Sequence, residues 1–199
     1  MSQALTDRIA AELAVPAPAA VQALAAALAD PARDAAVLYY GSTLRTGDLS
    51  GVLDFYRLTV RPHRRGLHGL VERLLWPEVS YHEVELAGVT LRAKVATLPL
   101  AVFRRAAEGR TLDVSIWARF VQPAQLVWSA DAASGRAAAA ACAAAVVTAA
   151  RFAARFGPDE GAPRAFWLAL FRREAVAAML ERIKADLALL GITHEVFAS

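Results

Sequence analysis

At 199 residues, with 57% apolar and 21% charged side chains, the chain has the size of one globular domain, or of a domain with a helical extension. A net charge of +3 and an isoelectric point near 9.4 suit polyanionic small molecules or an anionic membrane surface, and are too weak to argue for a nucleic-acid binder. The one cysteine, Cys142, excludes a disulfide framework and a cysteine zinc site, and suits a reducing cytoplasm.

The predicted elements follow in chain order. Residues 2–14 read as a first helix with Leu5, Ile9 and Leu13 on one face, broken by Pro16 and Pro18. Charged Asp7, Arg8 and Glu12 argue against a secretory leader there. Residues 19–28 form a second helix striped by Val21, Leu24 and Leu28, ended by Asp30-Pro31. Residues 36–40 are an apolar strand, followed by a Gly41-Ser42 turn, a polar connection, and a second strand carrying Asp54. A basic cluster of Arg61, His63, Arg64, Arg65 and His68 leads into a short helix over 67–76, stopped by Pro77. Two strands, 79–86 and 89–97, meet at Ala87-Gly88 as a hairpin whose polar residues include Glu83, Glu85, Arg92 and Lys94. Helices follow over 99–108 and 112–120. Asp131 is placed to cap a long Ala-rich helix over 132–156, and a last helix runs over 164–190 to Gly191. The most apolar run, 137–150, reads as too short to span a bilayer before Arg151 and Arg155.

The chemistry concentrates in YYGSTLRTGDLSGVLDFYRLTV, residues 39–60. Gly41 lets backbone approach a phosphate closely, and the Ser42 hydroxyl and amide can donate to it. A carboxylate on the next strand can hold Mg²⁺ against the same phosphates, because Mg²⁺ takes one or two carboxylates plus phosphate oxygens. The layout is that of the polymerase β-like nucleotidyltransferases, without their i, i+2 carboxylate pair: Val52 and Tyr56 flank Asp54 at those positions. Glu83 or Glu85 is the candidate second metal ligand, if its strand lies beside that of Asp54. An ordinary strand-turn connection and charged cross-strand pairing explain the same residues without a ligand.

The order YGS, VLDF, a His-containing turn, VSYHE, GVTLRAK and ARFVQP resembles the peripheral, mitochondrial-type phosphatidate cytidylyltransferases, the CDP-diacylglycerol synthases. Thr43 stands where that family has a second glycine, and LFRRE at 170–174 replaces an acidic loop. The resemblance, over roughly residues 37–176, implies an α/β (α+β) fold: a polymerase β-like sheet with flanking helices and a helical C-terminal half. It would divide into a nucleotidyltransferase-like unit, 1–128, and a helical unit, 129–199, packed on it. It implies Mg²⁺-dependent transfer of CMP from CTP to phosphatidic acid, a step of phospholipid biosynthesis. Asp54, Arg92 and Lys94 would be catalytic, Gly41, Ser42, His63 and Arg119 would bind nucleotide, and Asp54 with Glu83 and Glu85 would hold the metal. The expected partners are CTP and an anionic lipid acceptor with no nucleic acid, in the cytoplasm or peripherally on the inner face of a membrane. Arg61–His68, Arg172, Arg173, Phe166, Trp167 and Phe171 are the residues offered to a lipid surface. Two alternatives stand beside this: a nucleotidyltransferase acting on a soluble small molecule, and a non-catalytic module of the same fold.

Overall fold

A mixed five-stranded sheet, ordered β3-β4-β2-β1-β5, carries helices on both faces in a computed structural model that describes residues 3–61, 77–86, 88–111 and 115–156. The elements in chain order are α1 (Gln3–Leu13), α2 (Ala19–Leu28), β1 (Asp34–Tyr40), α3 (Ser42–Thr46), β2 (Val52–Thr59), β3 (Glu78–Leu86), β4 (Val89–Pro99), α4 (Leu100–Ala107), α5 (Ser115–Arg119), β5 (Ala124–Ser129) and α6 (Ala132–Phe156). The class is the expected mixed α+β one.

The central strands explain themselves. In β1, DAAVLYY, six of seven residues are buried, as a strand covered on both faces requires. It pairs antiparallel with β2 on one side and β5 on the other. β2 runs parallel to β4, which turns back antiparallel onto the edge strand β3. Only that edge shows simple alternation, with Ser80, His82, Val84 and Leu86 half-buried and the residues between them exposed.

Each face has its own core. On one, Ala17, Val21, Leu24 and Ala25 of the α2 region cover Val37, Tyr39, Leu53, Phe55, Leu91, Ala93 and Val95. On the other, α1, α4, α5 and α6 cover Leu38, Tyr56, Leu58, Ala96 and Leu98. This second core is aromatic at its centre, where Tyr56, Phe103 and Phe120 lie 5.0 to 5.8 Å apart between ring centroids.

Two local expectations need adjusting. The connection after Gly41 contains a helical turn, α3, and residues 124–129, outside the predicted elements, form a strand. β5 is short, follows Pro123, and alternates weakly, so its pairing with β1 defines it more than its own pattern does.

The Ala-rich helix has its expected bounds, and Asp131 caps it: the Ser134 amide donates to Oδ1 at 2.7 Å. At 25 residues it exceeds the run judged too short to span a bilayer; its segment Ala132–Ala154 is long and apolar enough to cross a membrane by length and composition. Its packing is that of a core helix. Ala138, Ala141, Cys142 and Ala145 are buried with the residues of β1 and β2 in one continuous core. The helix at 164–190, the residues 166, 167, 171, 172 and 173, and the cluster from 62 to 68 lie outside the described residues.

Candidate functional site

The site begins where β1 ends. Tyr40 is the register partner of Asp54, so the chain leaving β1 must pass directly over the Asp54 side chain. Gly41 makes that passage with φ 101° and ψ −161°, a region that side chains beyond glycine avoid. A Cβ there would stand 2.7 Å from Asp54 Oδ2. Both the conformation and the contact therefore require glycine at position 41.

Pairing registers place Tyr81, Lys94, Asp54, Tyr40 and Ala124 in one row across all five strands. Directly opposed residues share a face of the sheet, here the α4–α6 face. Asp54 is half-buried, and Lys94 beside it is likewise only partly exposed. Arg119, at the end of α5, reaches over the row. Its guanidinium lies 5.6 Å from the Tyr40 ring centroid and 5.9 Å from that of Tyr56, and Nη1 donates to the Tyr56 hydroxyl at 2.8 Å. These contacts orient a cation beside Asp54.

Burial raises the Asp54 carboxyl above the ordinary aspartate range, although the charges of Lys94 and Arg119 pull it back down. Burial likewise pushes the Tyr40 phenol far up, against the opposing charge of Arg119, so Tyr40 stays neutral. Among the described residues, neither a hydrogen bond nor an ion pair within 4 Å engages the Asp54 carboxylate. It is partly desolvated, faces two cations at longer range, and has acceptor capacity to spare.

Of the residues expected at the site, Gly41, Ser42, Asp54, Lys94 and Arg119 come together at this end of the sheet. Arg92 lies on the same face one row along, where Nη2 donates to the Ser50 carbonyl at 3.1 Å. Glu83 and Glu85 do not join Asp54. Their partners are Arg92 and Thr90, both carboxylates are exposed, and β4 stands between their strand and β2. Two strand spacings, about 10 Å, separate β3 from β2. Asp48, between α3 and β2, accepts from the Ser50 amide at 2.9 Å. His63 lies outside the described residues.

Sequence reasoning missed three tyrosines. Tyr40 and Tyr56 hold Arg119, and Tyr81 extends the row to the edge strand. The doublet at 39–40 was a usable signal: alternation sends Tyr39 into the α2-side core and leaves Tyr40 facing Asp54. Tyr81 stands in the VSYHE segment, but its place beside the site follows only from its register with Lys94.

A resident metal would have to be held mainly by Asp54. Among the described residues no group of three or more His, Cys, Asp or Glu side chains is placed to hold an ion. The donor set suits Mg²⁺ only when phosphate oxygens of a ligand complete the shell, because Mg²⁺ keeps waters and needs few carboxylates.

Comparison with known proteins found no family model that matches the chain. Short stretches resemble arginine--tRNA ligases. The match to that of Methylobacterium nodulans is 59% identical over 39 residues, 20% of this chain and 7% of the relative. That of Novosphingobium aromaticivorans is 58% identical over 38 residues, 19% and 6% of the two chains. One from Rhodopseudomonas palustris is 60% identical over 37 residues, again 19% and 6%. The chain thus spans a small fraction of these relatives, which are enzymes by name.

These findings correct the expectation built on the cytidylyltransferase resemblance. Membership of the CDP-diacylglycerol synthases, CMP transfer from CTP to phosphatidic acid, and a role in phospholipid biosynthesis are not upheld, and neither are the two alternatives. The expected partners fall with them, including the exclusion of nucleic acid, since the relatives are named for tRNA. The physical reason is visible in the site. A strand, a glycine turn and one aspartate form a small, recurrent unit, and the further carboxylates that would have made it specific lie on the far side of β4.

Proposed function

We propose that the chain is an enzyme whose Asp54 centre binds a phosphate ester together with Mg²⁺. The observation that carries this is the half-buried Asp54 carboxylate, raised by desolvation and, among the described residues, unengaged by a close partner, beneath the Gly41 turn and between Lys94 and Arg119. A bound Mg²⁺ would neutralise phosphate charge and polarise the phosphorus–oxygen bonds. The chain's own residues do the rest. Asp54 anchors the cation, Lys94 and Arg119 offer fixed positive charge to the phosphate oxygens, and Tyr40 with Tyr56 holds the guanidinium in place. Gly41 keeps the turn free of a side chain, so a ligand can reach the carboxylate. The free, buried Cys142 is compatible with a reducing, cytoplasmic setting.

Thermal unfolding with Mg²⁺ and inorganic pyrophosphate tests this reading. A ligand that binds only the native state at about 100 times its Kd stabilises it by about 2.7 kcal/mol. The pair together should raise the Tm of the wild type, and the rise should be absent in Asp54→Asn. Equal stabilisation of both proteins would remove Asp54 from the site.

The short identity to arginine--tRNA ligases favours a second reading, in which the matched stretch serves a function related to those enzymes and meets tRNA. Filter binding of purified tRNA separates it from the first: retention above that of a duplex DNA of equal charge is expected, and equal retention would overturn it.

A further inference from the structure

Tyr81 is the largest exposed apolar surface on the row that contains Asp54. The residue is 71% exposed, on the edge strand, directly opposite Lys94. The residue that faces it across the ladder, Lys94, is positively charged. Lys94 and Arg92 stand on the neighbouring strand, where Glu83 opposes Arg92 from one side and Asp54 opposes Lys94 from the other. Arg119 lies on the far side of Asp54, and Arg45 of α3 donates to Gln122 Oε1 at 2.5 Å, close beyond Arg119. Lys94, Arg119 and Arg45 therefore run from β4 past Asp54 to the α3–α5 side, with Arg92 one row along. Their spread exceeds the reach of a single phosphate group: Lys94 and Tyr81 occupy strands on one side of β2, and Arg119 sits over β1 and β2 on the other.

We infer that this face binds a single-stranded polynucleotide, with one base stacked on Tyr81 and its backbone phosphates following Lys94, Arg119 and Arg45. A single strand is the polyanion that also offers unpaired aromatic faces, and a stacking ring beside a line of cations is the combination that such strands need. A duplex hides its base faces and cannot use Tyr81. The inference rests on the reading of Asp54 as a phosphate-binding centre and names its substrate class: the phosphate nearest Asp54 belongs to the strand. The row also sets the scale. Two strand spacings, about 10 Å, separate the Tyr81 backbone from that of Asp54, a span that one or two nucleotides cover.

Fluorescence anisotropy with short 5′-fluorescein-labelled oligouridine and oligothymidine tests this at several salt concentrations, with an oligouridine–oligoadenosine duplex as competitor. The wild type should bind the single strands and lose affinity as salt rises. Tyr81→Ala should weaken binding by about 5- to 150-fold, the worth of one stacked base, whereas Tyr81→Phe, which keeps the ring, should bind like the wild type. Lys94→Gln should lower the slope of log affinity against log salt by about 0.7, the loss of one phosphate contact on a single strand. Tighter binding of oligouridine would assign the strand as RNA, and tighter binding of oligothymidine as DNA; either supports the inference. Failure of the wild type to bind either strand, equal affinity of Tyr81→Ala, or preference for the duplex would overturn it. A protein that is stabilised by Mg²⁺ and pyrophosphate yet binds no strand sinks this inference alone. One that binds strands through Tyr81 but ignores Mg²⁺ and pyrophosphate sinks the Asp54 centre alone.

Discussion

Asp54 is held in an environment that disfavours its own charge, and the direction of its shift makes a stability prediction. Its folded carboxyl titrates above the ordinary aspartate value, because desolvation outweighs Lys94 and Arg119. The native state therefore holds its proton more tightly than the unfolded chain does, and stability is lost as pH rises through the folded value. At neutral pH the wild type carries this full penalty. Asp54→Asn should accordingly be the more stable protein at pH 7, and its advantage should shrink on acidification and vanish below about pH 3.9, where both states are protonated. Urea midpoints from acid to neutral pH check this. A less stable Asn variant at neutral pH would show that the carboxylate is engaged after all. A residue that costs stability and is kept beneath a glycine turn fits a binding centre better than a structural one.

At the scale of elements, the sheet is pinned at the end opposite to Asp54. Asp34, at the start of β1, has a fully buried side chain whose Oδ2 accepts the Asp30 amide at 2.7 Å and whose Oδ1 lies 3.6 Å from Arg57 Nε. Arg57 Nη1 also donates to the Leu28 carbonyl at the end of α2, at 3.3 Å. One ion pair thus ties α2, β1 and β2 together. Removing one partner of a buried pair leaves the other charged and desolvated, so Arg57→Ala should cost about 3–5 kcal/mol. Chemical denaturation measures it, and a loss within 1 kcal/mol of zero would mean that water replaces the guanidinium at no cost. Arg57 was read in the sequence only as part of a strand, because a buried charge at a strand position looks like an exposed one until its neighbours are known.

At the scale of the molecule, the elements most legible in the sequence were those with strong local signals. The Ala-rich helix announced itself by composition and by the Asp131 cap, and the hairpin by alternation on either side of Gly88. β5 was not legible, since its place depends on pairing with a strand far away in the chain. The candidate site divides the same way. Gly41 and Asp54 were visible because turn chemistry and an isolated carboxylate are local features. Glu83 and Glu85 were misplaced because the strand order β3-β4-β2 follows from long-range pairing, and it sets β4 between them and Asp54. Tyr81 and the Tyr40–Arg119–Tyr56 contact needed register and tertiary packing, which no single-strand pattern encodes.

The pairing of β1 with β5 also bears on how the protein reaches its folded state. Tyr40 pairs with Ala124 and Ala36 with Ser129, so this ladder closes a loop containing the other three strands of the described sheet. Such distant pairings slow folding, because the chain entropy of closure is lost before the contacts form. Gly41, Asp54 and Lys94 lie early in that loop, on the turn after β1 and on β2 and β4, whereas Arg119 arrives with α5, just ahead of β5. During synthesis the carboxylate would therefore emerge well before the guanidinium that stands over it, and the anion-binding character of the site would be acquired only when β5 docks.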